Sequence, residues 1–169
     1  MLVALLAVLF VTTGKWRSVN ARHGVVAAGL SALLALGIAH VFADLWARPR
    51  PYIAHPDLHL FIAPSHDSSF PSDHATAAFA IATALLLRHR KAGLAALALA
   101  TLLALARVVV GTHYPSDVAA GAAIGVAAAL ILWHPSVRTP MHRLADWAGR
   151  VYDGSWRRLT AGSGSGQMS

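Results

Sequence analysis

The sequence contains no cysteine, which excludes disulfides and thiolate metal sites and leaves the redox compartment unreadable from thiols. It is also short of charge. Only 12% of its 169 residues are Asp, Glu, Lys or Arg, against 56% hydrophobic. It has no detectable internal repeat and no internal low-complexity segment. With a mean hydropathy of +0.55, this is the composition of a membrane protein.

The apolar residues fall in blocks at 1–13, 24–46, 71–87, 92–110 and 117–133, against the ~20 residues needed to cross a ~30 Å hydrocarbon core. The first block is too short to span. No positive charge precedes it and no convincing small-residue cleavage site follows, so it reads as a truncated or shallow membrane helix rather than a signal peptide. The expected fold is therefore all-α, a polytopic membrane helical bundle with five apolar segments.

A net charge of +7 could suggest a nucleic-acid partner, but the placement of the charges argues against one. Eleven of the fourteen basic residues lie in alternate connections and the tail: Lys15, Arg17 and Arg22; Arg88, Arg90 and Lys91; Arg138, Arg143, Arg150, Arg157 and Arg158. If the segments alternate across a bilayer, all eleven share one side, which the positive-inside rule makes cytoplasmic. Arg48, Arg50 and Arg107, with Asp44, Asp57, Asp67, Asp73 and Asp117, fall on the other.

The domain organisation expected is one transmembrane domain over 1–135, a cytoplasmic segment over 136–159 and a Gly- and Ser-rich disordered tail over 160–169. Within the second, Met141, Leu144, Ala148, Val151 and Tyr152 recur at helical spacing among arginines, with Trp147 and Trp156 nearby. That pattern fits an interfacial helix on anionic lipid, and a solvated helix equally well. Gly121 and Gly125 predict close packing within the chain rather than a dimer interface. Residues 53–70, rich in His, Asp, Pro and Ser, form the longest outward connection and are expected to cover the entrance to a site.

Three islands carry the chemistry. Arg107, His113 and Asp117 are separated by five and three residues; Gly111 can end one helix and Pro115 and Ser116 can start the next, which holds His113 on a short turn. Asp117 can then reach one imidazole nitrogen and leave the other as a nucleophile. Alone, an interfacial histidine with a capping aspartate explains these residues equally well. Pro71, Ser72, Asp73 and His74 repeat the arrangement at another helix start, where Ser72 can cap and the free N–H groups can receive an anion. Arg48 and Arg50 alternate with Pro49 and Pro51, which stiffen the chain and aim two guanidinium groups suited to phosphate.

Other histidines are read more plainly. His55, His59 and His66 with Asp57 and Asp67 fit no common zinc spacing and read as a polar lid, so no metal is expected. His40 reads as a hydrogen-bonded packing residue, and His23, His89, His134 and His142 as interfacial ones.

In order and spacing, the islands resemble the signature of the type 2 phosphatidic acid phosphatase superfamily, over residues 24–133. The Pro-Ser-Asp-His, Arg-Pro-Arg-Pro-Tyr and Gly-Thr-His-Tyr-Pro-Ser-Asp stretches are most similar to its bacterial undecaprenyl-diphosphatase branch, whose members confer bacitracin resistance. The resemblance implies that His113 attacks phosphorus to form a phosphohistidine, Asp117 orients it and His74 protonates the leaving group. Arg50, Arg107, Ser72 and the backbone near Asp73 would hold the phosphoryl oxygens, without cofactor or metal.

The sequence departs from the family pattern in four ways. Ala43 stands where a lysine is expected, leaving Arg48 to supply its charge; Ala106 replaces a serine, Asp73 replaces a glycine, and five segments stand where six helices are usual. The implied function is hydrolysis of the terminal phosphate of a polyprenyl diphosphate at the outer face of a bacterial plasma membrane. Another lipid phosphate, such as phosphatidylglycerophosphate, phosphatidic acid or a polyprenyl-phosphoryl sugar phosphate, is the alternative. A non-enzymatic lipid or anion transporter on the same fold is disfavoured by the intact His74, His113 and Asp117.

Overall fold

The computed structural model describes residues 19–55, 57, 64–65, 67–143 and 146–147. The apolar block at 1–13 and the tail at 160–169 lie outside them, as does most of the segment at 136–159. Among the described residues there are helices and no strands: α1 is Val19–Leu45, α2 Pro51–Ala54, α3 Asp73–Leu86, α4 Arg90–Val109 and α5 Pro115–Trp133. Residues 135–143 are also helical. The chain divides into two compact units, residues 27–134 and the paired ends 1–26 and 135–169.

Among the described residues, three helices are long and apolar enough to cross a membrane, over His23–Leu45, Arg90–Val109 and Pro115–Trp133. The block expected at 71–87 differs. Its helix, α3, has 14 residues, or roughly 21 Å at 1.5 Å per residue, short of a ~30 Å hydrocarbon core. The reason lies in its surroundings: α3 packs against both α4 and α5, and Ala75, Thr76, Ala78, Ala80, Ile81, Ala82, Thr83 and Ala84 are buried. A helix jacketed by protein need not match the lipid in length. The outer helices show the opposite pattern, with Leu33, Leu94, Leu99, Leu102, Leu105, Leu130 and Ile131 exposed. Such a surface would be costly in water and suits lipid.

Small side chains make the interior. Ala35, Ala80 and Ala128 meet where α1, α3 and α5 converge, with Ile124 against them. Ala78, Ala82 and Ala100 join α3 to α4, flanked by Phe79, Leu97 and Leu103. The glycine pair on α5 works within the chain, as its spacing predicts. A Cβ on Gly121 would lie 2.7 Å from the Ser72 carbonyl oxygen, and one on Gly125 would press closer still on that of Thr76. Gly111 adopts φ +74° just beyond the last turn of α4, the left-handed position that favours glycine after a helix.

In the terminal unit, His23 is buried rather than interfacial. Its Nε2 lies 2.7 Å from Asp146 Oδ1, and its ring stacks on His142 with centroids 4.1 Å apart. His40 is hydrogen-bonded to the Leu36 carbonyl (2.9 Å), yet it is exposed and does not serve the packing.

The close approach of α3 and α5 is testable. Gly125→Ala forces a Cβ against the backbone of Thr76 and Ala80, and should destabilise the protein by about 1–3 kcal/mol in thermal unfolding in detergent. Gly29→Ala, where a Cβ meets nothing within 4 Å, should change stability little; equal effects would remove the close-packing account.

Candidate active site

Two extended stretches lie side by side beneath the site. Beyond Leu45, Pro49 and Pro51 keep the chain out of helix until the single turn of α2, and the Arg48 carbonyl accepts the Ser69 N–H at 2.8 Å. This pairing brings the arginine island against the residues leading into α3. The Phe70–Pro71 peptide between them is cis.

The two arginines do not aim together. Arg50 is buried and points inward: its Nη1 donates to the Thr112 carbonyl (3.1 Å) and to His113 Nε2 (3.3 Å), its Nε to the Asp67 carbonyl (3.3 Å), and its Nη2 to Asp67 Oδ1 (3.0 Å). One Nη2 hydrogen is uncommitted. Arg48 instead serves Asp117. Its Nη1 donates to Asp117 Oδ1 and Ser116 Oγ, both at 2.8 Å, and its guanidinium carbon lies 4.0 Å from the centre of the Tyr114 ring.

His113 stands on the turn between α4 and α5, almost fully buried. The Arg107 carbonyl holds the turn, accepting from the Thr112 hydroxyl (2.8 Å) and from the N–H groups of Thr112 and His113. The imidazole has one partner of each fixed polarity. A carbonyl, that of Ser69, lies 2.8 Å from Nδ1 and can only accept; the Arg50 guanidinium at Nε2 can only donate. The neutral ring therefore carries its hydrogen on Nδ1 and a lone pair on Nε2. Burial lowers the pKa of His113, and the charges of Arg50 and Arg107 add to this against the opposing pull of the Ser69 carbonyl and Asp117. The ring stays neutral to lower pH than an ordinary histidine.

Asp117 does not hold the imidazole as the spacing suggested. Its Oδ2 lies 3.9 Å from Nδ1, too far for a hydrogen bond. The physical reason is competition: Oδ2 accepts from Ser69 Oγ (2.5 Å) and the Tyr114 N–H (2.9 Å), while Oδ1 takes Arg48. Three residues from three segments thus meet on one fully buried carboxylate.

The start of α3 is left open. Ser72 occupies the N-cap position, but its hydroxyl makes no capping bond and is buried without a partner. The first-turn N–H groups, which no helix satisfies internally, have no side-chain cap either. Arg107, in the last turn of α4, has a buried Nε without a partner. His74 is exposed, in the first turn of α3 and within electrostatic reach of Arg107 and Arg50. Asp73 stands beside it, where a helix dipole favours an anion; nothing else in the structure explains that residue. Unmet donors and an uncapped helix start can receive a tetrahedral anion.

Three participants were not singled out from the sequence. Ser69 was not distinguished from its neighbours, Tyr114 gave no signal as the platform for Arg48, and Asp67 read only as lid. Asp67 pairs with Arg50 and with the Ser65 hydroxyl, while Ser65 is tied to the Tyr52 hydroxyl through its N–H (2.8 Å) and carbonyl (2.6 Å). Partial burial works to raise the Asp67 pKa, but Ser65 and Arg50 outweigh it and the net direction is down. His59 and His66 lie outside the described residues.

The chain is 31% identical to undecaprenyl-diphosphatase BcrC of Bacillus subtilis over 154 residues, covering 91% of this chain and 78% of the relative. It is 40% identical over 106 residues to the decaprenylphosphoryl-5-phosphoribose phosphatase of Mycobacterium tuberculosis, covering 62% and 57%. The crystal structure of Aquifex aeolicus LpxE superposes with a TM-score of 0.63 at 29% identity, covering 76% of this chain and 75% of that one. The model of the PAP2 superfamily matches residues 24–139, which span all three islands, and the chain belongs to that superfamily.

Proposed function

We propose that this membrane lipid phosphatase removes the terminal phosphate of a polyprenyl diphosphate, undecaprenyl diphosphate above all, through a phosphohistidine at His113. The observation that carries the reading is the pair of buried, unpartnered donors, Ser72 Oγ and Arg107 Nε. Buried polar groups are almost always hydrogen-bonded, so two buried donors that protein acceptors leave unmet suit an acceptor-rich group such as a phosphoryl. Among the relatives, the undecaprenyl-diphosphatase from Bacillus subtilis matches over most of both chains, which favours that substrate.

In this mechanism Arg50 Nη1 gives up its bond to His113 Nε2, and the freed lone pair attacks the terminal phosphorus as the bond to the bridging oxygen breaks. His74 gives its proton to the departing oxygen, and water then attacks the phosphohistidine, releasing inorganic phosphate and restoring the imidazole. The transferred group spreads negative charge over its equatorial oxygens. Arg107, the free edge of Arg50, Ser72 and the first-turn N–H groups of α3 are positioned to neutralise it. Arg48 contributes at second hand, by holding Asp117.

A second reading, a phosphatase of another lipid phosphate, is favoured by the 40% identity to a decaprenylphosphoryl-5-phosphoribose phosphatase. Phosphate release from purified protein decides between them. Undecaprenyl diphosphate should be the best substrate in a panel with phosphatidylglycerophosphate, phosphatidic acid and a polyprenyl-phosphoryl sugar phosphate. Activity should survive EDTA, and vanadate should inhibit by mimicking five-coordinate phosphorus. Loss with chelator and recovery with magnesium or zinc would overturn the arginine-based mechanism.

The two histidines should separate. His113→Ala should abolish turnover of every substrate. His74→Ala should cripple hydrolysis of an alkyl monoester, whose alkoxide needs a proton, more than that of a diphosphate or p-nitrophenyl phosphate; equal losses on all three would make His74 a phosphate ligand. The nucleophile must be neutral and the general acid protonated, and burial lowers the pKa of both His113 and His74, so kcat/KM should rise as pH falls through the ordinary imidazole value of about 6.5 and decline only below it.

The charge distribution further supports a site that faces outward. In spheroplasts an impermeant thiol reagent should label cysteine at the exposed positions Asp57 or Ser65 and spare the exposed positions Lys91 and Ala92. The reverse pattern would place the site in the cytoplasm.

A further inference from the structure

We infer that Ser69 is a positioning residue that couples Asp117 to His113, so that the carboxylate acts on the imidazole through a serine rather than by touching it. The inference rests on the reading of His113 as nucleophile. Ser69 is fully buried and every polar group it owns is committed. Its N–H donates to the Arg48 carbonyl (2.8 Å), its hydroxyl donates to Asp117 Oδ2 (2.5 Å), and its carbonyl accepts the Nδ1 hydrogen of His113 (2.8 Å). Three fixed bonds leave the carbonyl no freedom to swing away from the ring.

The alternative, a direct Asp117–His113 bond, fails on geometry. Nδ1 carries one hydrogen, which points at Ser69, and the nearer carboxylate oxygen is 3.9 Å away with two donors already on it. The chain of contacts runs Arg48, Asp117, Ser69, His113, and ends at the nitrogen opposite the one that attacks. As Nε2 bonds to phosphorus, the ring gains positive charge and its Nδ1–H becomes a stronger donor. A carbonyl held in place, backed by a buried carboxylate, stabilises that charge without taking the proton. Ser69 touches neither substrate nor phosphorus in this arrangement, so its effect belongs to kcat.

The test uses the full-length protein. Ser69→Ala keeps the carbonyl and removes its anchor, and should lower kcat by roughly 10- to 100-fold, the usual loss for an outer partner of an oriented imidazole, with KM little changed. Ser69→Cys, nearly the same shape with a much weaker donor, should do the same if the alanine variant does not fold, and Ser69→Thr should restore most of the rate. In combination with Asp117→Asn the loss should be no greater than that of Asp117→Asn alone, because the two residues act as one unit. In protein labelled with 15N-histidine, the Nδ1 proton resonance of His113 should shift in the Ser69 variants, a readout independent of turnover. Wild-type kcat and an unmoved resonance, or losses that multiply in the double variant, would overturn the role of Ser69. Turnover by His113→Ala would instead overturn the function on which it rests.

Discussion

A carboxylate with no access to water must be surrounded by donors or not be charged at all, and Asp117 is in that position. Its two oxygens collect Arg48, Ser69 and the Tyr114 N–H, and its own carbonyl accepts the Ser72 N–H at 3.0 Å. Each of these lies in a different stretch of chain: the end of α1, the approach to α3, the turn before α5 and the cap of α3. Satisfying one buried charge therefore gathers the islands that the sequence keeps up to 69 residues apart. The apolar helices set the frame, but this centre sets the relative positions of the groups that do chemistry.

Much of the arrangement was legible from residue order. Apolar blocks gave α1, α4 and α5 to within a few residues, because a membrane core demands length and composition together. Gly111 and Pro115 marked the turn that carries His113. What the sequence could not give was the direction of side chains. Arg48 and Arg50 look alike between their prolines, yet one faces Asp117 and the other His113; the backbone at Arg50 is polyproline II (φ −69°, ψ 153°), and about three residues per turn send side chains two apart to different sides. Ser69 escaped notice for a related reason: its carbonyl orients the imidazole, and a backbone group leaves no trace in residue identity. The short α3 was misjudged in length because its apolar run reads as a span, while burial by its neighbours relieves it of meeting lipid.

Protein acceptors occupy part of the cationic site. Arg50 gives four of its five N–H groups to protein acceptors, and Asp67 lies against it with most of its side chain open to solvent. Ser72 Oγ and Arg107 Nε have no such substitutes. The first pair describes a guanidinium held for aim; the second describes donors held in reserve. Donors fixed by the fold are the condition under which dipoles stabilise a transition state most effectively.

The alanine and glycine interior has a consequence for how such a protein can change. Where Ala35, Ala80 and Ala128 meet, and where Gly121 and Gly125 face α3, there are no rotamers to freeze on folding and almost no atoms left to remove. Mutation at these contacts can proceed nearly always in one direction, toward added volume, and each addition pries apart helices that carry catalytic groups at their ends. Variation is thereby turned outward to the lipid-facing leucines, where side chains can be exchanged without moving the frame.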